Sequence, residues 1–121
     1  MTVINLINVS TITPTTKVGA ITTSRASIID VAADKCAKVN TLLIANIDGT
    51  NAADVTVEVS DNDGSSYFAI AKTVSVPADS TLVVVGKDNG FYLDETDILA
   101  VTASAASDLT YLVSFELMDD A

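Results

Sequence analysis

The seven residues Asp54–Ser60, DVTVEVS, decide the fold: Val55, Val57 and Val59 fall on one side, Thr56, Glu58 and Ser60 on the other. An unbroken period of two predicts an antiparallel strand with one face in a core and the other in water. A turn signal stands on each side of it, Asp48-Gly49-Thr50-Asn51 before and Asp61-Asn62-Asp63-Gly64 after. Such clusters supply the left-handed and side-chain-capped conformations that tight turns need. Outward from the first turn, Val39–Ile47 is almost continuously apolar, the pattern of a strand buried on both faces. Before it, Ser27–Val31 is a short β-prone run, followed by a turn at Ala32-Ala33-Asp34-Lys35.

Beyond the second turn, Tyr67–Val76 reads as a strand with a shift of face near Lys72–Thr73, ended by Pro77-Ala78-Asp79. Thr81–Val85 follows, closed by Gly86 and the Lys87-Asp88-Asn89-Gly90 turn; then come Phe91–Leu93, an acidic loop at Asp94-Glu95-Thr96-Asp97, and strands at Ile98–Ser104 and Thr110–Met118. Short strands separated by turn signals at intervals of roughly 8–12 residues, with no helical periodicity, predict an all-β antiparallel β-sandwich. The pattern gives seven to eight strands and leaves Ig-like and jelly-roll topologies both open. The expected core comprises Val55, Val57, Val59, Val113, Phe115 and the stretch Leu42–Ile44.

Residues 1–24, MTVINLINVSTITPTTKVGAITTS, read differently: Thr-rich, uncharged before Lys17, and interrupted by Pro14 and Gly19. Neither face alternates cleanly, so we assign 1–24 as an extended N-terminal arm and 25–121 as the sandwich domain. The arm is either an edge strand of the same sheet or a segment lying on a neighbouring subunit. Extended, it would reach roughly 80 Å, about twice the ~40 Å span of such a domain. Val3, Ile4, Leu6, Ile7, Val9 and Ile12 are its expected partner contacts, because uncharged β-prone segments pair with other edges unless covered.

Composition narrows the function. Val, Ile and Thr supply 40 of the 121 residues, and β-branched side chains suit pleated sheets better than helices. The net charge is −10, with no His and a sequence pI of about 4.1. Such a surface repels phosphate backbones and anionic bilayers, so neither nucleic acid nor membrane is an expected partner. Without His the commonest general base and transition-metal ligand are missing. The single Cys36 permits no internal disulfide and no Cys-rich metal site. No Gly-x-Ser-x-Gly elbow or Gly-rich phosphate loop is present. The expectation is a non-enzyme with no cofactor. The acidic groups have plain readings: Asp61, Asp63 and Gly64 as a hairpin turn, Asp94, Glu95 and Asp97 as a solvated corner that blocks edge pairing, with a hard cation such as calcium the alternative there. Asp119 and Asp120 read as a charged tail, and Cys36, although beside Lys35 and Lys38, as a small core residue.

The stretch Ala37–Met118 resembles a group of small tailed-phage virion proteins. The shared features are an apolar strand running into Ala45–Thr50 (ANIDGT), the Val55–Val59 strand, Tyr67 on a hairpin, Val76–Leu82 (VPADSTL), the Leu93–Ile98 corner and the Val101–Ser104 strand (VTAS). The likeness covers about two-thirds of the chain and leaves out residues 1–24. It implies a non-enzymatic structural subunit of the virion, made in a bacterial cytoplasm, without catalytic residues. It implies a head decoration or cement subunit first, with the major capsid protein or other virion subunits as partners and a homo-oligomer as its state. A neck, collar or tail-associated subunit is the alternative. A carbohydrate-binding adhesion module is a third reading, weakened by three Tyr and no Trp.

Overall fold

Alternation along the chain becomes two facing antiparallel sheets in the computed structural model, which describes residues 5–120. A single 3-10 turn, Leu6–Asn8, is capped by Asn5, whose side chain accepts from the Ile7 N–H at 3.0 Å. Nine strands follow: β1 (Val9–Ala20), β2 (Ala26–Asp30), β3 (Lys35–Asn46), β4 (Ala53–Ser60), β5 (Phe68–Val76), β6 (Thr81–Val85), β7 (Phe91–Leu93), β8 (Ile98–Ala103) and β9 (Leu109–Asp120). The first sheet runs β1-β9-β3-β6, with β7 also on β3; the second runs β2-β8-β4-β5.

This order is that of a jelly roll. The pairs β1·β9, β2·β8, β3·β6 (with β7) and β4·β5 form one long nested hairpin, turning between β4 and β5. Winding that hairpin lays successive pairs alternately in the two sheets and brings β9 onto β3 and β8 onto β4.

The core between the sheets is aliphatic, with Leu42, Ile44, Val55, Val57, Leu99, Leu109 and Val113 completely buried and Phe115 nearly so. β4 follows its alternation from Asp54 to Glu58, but at its end Val59 is half-buried and Ser60 is buried. The face shift in β5 is real: one extra residue is inserted between the Val55↔Val74 and Val57↔Ala71 pairs, Thr73 takes φ 46°, and its N–H donates to Thr56 Oγ1 at 3.1 Å. This is a β-bulge, which re-aims the side chains that follow it.

Two expectations need correction. First, β3 is buried on one face only: Val39, Leu42, Ile44 and Asn46 are buried, whereas Thr41, Leu43 and Ala45 are half-exposed. Its outward Leu43 and Ala45 are apolar, yet no layer of the described residues covers them. Leu43 therefore leaves the expected core, and Val59, although packed on it, is only half-buried. Second, of the two readings of the arm, the edge strand of the same sheet holds for residues 9–20. They form β1, paired with β9 from Val9↔Asp120 to Ala20↔Thr110, and Ile21 beyond them is 1% exposed in the core. The sandwich thus begins well before residue 25. Pro14 is tolerated because β1 is an edge strand, and Gly19 lies under the Tyr111 ring, 3.0 Å from where a Cβ would stand. The expected seven to eight strands of the sandwich are present, and β1 makes nine among the described residues.

Candidate interaction surface

Titratable side chains are the first place to look for chemistry. Glu95 and Asp97 are 6% and 8% exposed, so the acidic corner is buried rather than solvated. It acts as a clamp. Glu95 Oε2 accepts from the Asp34 N–H at 2.8 Å, Asp97 Oδ2 accepts from the Asp94 N–H at 2.9 Å, and main-chain bonds from Val31 to Asp97 and from Thr96 to Val31 complete it. This joins the β2–β3 turn to the β7–β8 turn. Asp97 Oδ1 is buried without a hydrogen-bond partner. Burial pushes the Asp97 pKa up against the pull of the Asp94 N–H, and the charges of Asp94 and Asp61 add to the rise. Among the described residues no three His, Cys, Asp or Glu side chains are grouped to hold a metal ion.

The other polar clusters close turns. Ser60 is fully buried; its hydroxyl donates to Asn62 Oδ1 and accepts from the Gly64 N–H at 2.8 Å, which organises the Asp61–Gly64 turn around Gly64 at φ +85°. At the opposite end of the neighbouring strand, Asn46 is 3% exposed and donates through Nδ2 to the Asn51 and Val76 carbonyls, while its Oδ1 accepts from the Asp48 N–H. Asp48 Oδ1 in turn accepts from the Thr50 and Asn51 N–H groups, which hold its carboxyl below the usual Asp value. The ANIDGT stretch is thus a side-chain-built turn. Cys36 is buried beside Met118, and burial, followed by the charges of Asp94 and Asp97, raises its thiol pKa. A raised pKa disfavours the reactive thiolate.

The expected partner residues fall into two sets. Val3 and Ile4 lie outside the described residues. Leu6 and Ile7 sit on the 3-10 turn, 50% and 90% exposed. Val9 packs on the Cys36–Met118 pair, and Ile12, 58% exposed, stands opposite Met118. The last two therefore belong to the outer face of the first sheet, which carries a surface that reading the chain strand by strand does not reveal.

Register assembles that surface. Val18, Leu112, Leu43 and Val83 are successive partners across β1, β9, β3 and β6, and form one apolar row over the whole sheet. The neighbouring row is Ala20, Thr110, Ala45 and Thr81. Toward the other end come Thr16, Ser114 and Thr41, then Pro14, Glu116, Lys38 and Tyr92, then Ile12, Met118 and Cys36. A shallow groove of about 490 Å³ lies across the first two rows. In all these rows the charged residues are one acid and one base, Glu116 and Lys38, directly opposite each other. The outer face of the second sheet is of another kind. Glu58 accepts from Arg25 Nε at 2.9 Å and Nη2 at 3.2 Å, and the guanidinium lies 4.0 Å from the centre of the Tyr67 ring.

Comparison with known proteins bears on the fold. No family model matches the chain, and no curated protein matches it. Among solved structures, a subunit of the disulfide-linked pili that form Bacillus endospore appendages is similar at 15% identity and TM-score 0.54, covering 92% of this chain and 88% of that one. A pentameric capsid protein from metagenomic phage sequences is similar at 18% identity, covering 96% of this chain and 68% of that one, with a TM-score of 0.40 that is too low to bear on the argument. The pilus subunit supports the sandwich architecture seen here.

Proposed function

We propose that this chain is a non-enzymatic structural subunit of a tailed-phage virion, specifically a head decoration or cement subunit that binds the capsid surface through its N-terminal segment. The observation that carries the reading is an apolar segment left uncovered at a sheet edge. Leu6, Ile7 and Ile12 are exposed on and beside β1, and β1 is the outermost strand of its sheet. Such an edge presents unpaired backbone groups to which another chain can add a strand, with apolar side chains supplying pockets or plugs. Val3 and Ile4 continue the apolar series in sequence. The resemblance of Ala37–Met118 to virion proteins supplies the setting, and the acidic remainder of the surface keeps the subunit off packaged DNA.

The test is a stained gel of purified particles, with this band referred to the major capsid protein. Decoration requires comparable copy numbers; a small ring-like number places the subunit at the neck, collar or tail instead. Deleting residues 2–8 leaves β1 intact and is expected to give a folded protein that no longer incorporates. Normal incorporation of that deletion overturns the role of the segment. A carbohydrate-binding role lacks comparable support, since the exposed rings Phe68 and Tyr92 stand on different sheets and form no platform.

A further inference from the structure

We infer that the outer face of the first sheet is where a second copy of this chain packs, sheet against sheet, about a two-fold axis. The inference goes beyond the virion reading and holds whether or not the chain belongs to a particle. It starts from β3, whose sequence is that of a strand buried on both sides although the monomer covers only one. Its outward Leu43 lies in the row Val18–Leu112–Leu43–Val83, whose end residues Val18 and Val83 are 70% and 60% exposed. An apolar row spanning four strands, flanked by Thr, Ser and Ala, has the make-up of an inner sandwich face rather than a wetted one.

Charge selects the occupant. The chain carries sixteen acids and a net charge of −10. Two copies therefore repel each other over most of their surface. In the rows named above the acid, Glu116, is opposed by Lys38, so across them alike chains can meet without opposing uncompensated carboxylates. A strongly basic partner would instead be drawn to the acidic turns at the sandwich ends. Size agrees. Four strands spaced at about 4.8 Å, over about 20 Å of strand length, give on the order of 400–600 Å² per copy, near the lower limit for a specific dimer. A two-fold arrangement lets the same patch serve both partners.

The experiment is sedimentation velocity on the purified full chain, over a concentration series reaching the high-micromolar range. A dimer is expected that tightens as salt is raised, because salt screens the repulsion between two acidic subunits and leaves apolar contact intact. Val83→Glu and, separately, Val18→Glu are expected to raise the dissociation constant at least ~10-fold, with circular dichroism and the thermal midpoint unchanged. Both sites are exposed and lie on different strands, so one variant serves if the other folds poorly. Ile70→Glu, on the exposed edge strand of the second sheet, is expected to leave the dimer intact. A chain that stays monomeric throughout the series overturns the inference. So does an assembly that Ile70→Glu dissociates while Val83→Glu and Val18→Glu do not. A monomer that still enters particles overturns this inference alone, whereas a dimer absent from particles overturns only the virion reading.

Discussion

β3 and β4 stand on opposite sheets, each with a buried inner face, and differ in what they turn outward. β4 presents Asp54, Thr56 and Glu58, and Glu58 is held by Arg25 against Tyr67. β3 presents Thr41, Leu43 and Ala45. A strand that alternates sharply announces a sheet finished against water. A strand apolar on both sides announces a sheet with two contacts to make, only one of which a single chain can supply.

Substitution can break this contrast. The largest effect is expected between the sheets: Phe115→Ala should lower unfolding stability by about 3–5 kcal/mol and Leu42→Ala by about 2–5 kcal/mol, measured by denaturant titration. A loss below about 1 kcal/mol at either site would place it outside the core. Next is Asn46→Ala, which strands the Asn51 and Val76 carbonyls and the Asp48 N–H; about 2–3 kcal/mol is expected from leaving such groups unpaired. Leu43→Ser, one residue from Leu42 but outward, should cost the monomer less, about 1–2 kcal/mol, because its side chain is only partly buried. A cost like that of Leu42→Ala would show that the outer face is covered within the chain. Arg25→Ala on the second sheet should have the smallest effect on stability, since the ion pair is largely solvent-screened and the ring contact adds only a little.

Asp97→Asn should change a slope rather than a midpoint. A carboxyl whose folded pKa is raised binds its proton more tightly in the folded chain, so stability falls as pH rises from the ordinary Asp value of 3.8 toward the folded value, then levels off. The Asn side chain can still accept from the Asp94 N–H and carries no charge, so this decline should vanish from a stability–pH profile. An unchanged slope would mean that Asp97 meets solvent in the folded state.

Legibility followed local pattern. β4, β6 and β7 could be bounded closely because alternation and turn residues lie within the elements themselves, and the Lys72–Thr73 irregularity left its mark as a break of period. β1 was legible only as one of two readings, because an edge strand exposed on both sides has no reason to alternate; Pro14 and Gly19, read as interruptions, are residues that an edge accepts. The acidic corner was misread for a related reason. Whether Glu95 and Asp97 meet water depends on the β2–β3 turn folding over them, a contact made by residues some sixty positions away. Asn46 was hidden in an apolar run, although an Asn two residues before Asp48 is the available signal for a side chain that caps its own turn. The outer face of the first sheet exists only through register, and pairings of β1 with β9 and of β9 with β3 are long-range facts.

The pairing of β1 with β9 also has a consequence for synthesis. β1 pairs with no other strand, and β9 emerges from the ribosome after every other described strand. Until then β1 waits unpaired, and the first sheet lacks the strand that joins β1 to β3. The nested hairpin therefore closes late and slowly, as sheets built from distant segments do. The Thr-rich make-up of β1, with Pro14 at its middle, suits that wait: it is a poor template for a neighbouring nascent chain, yet pairs along its length once its own partner arrives.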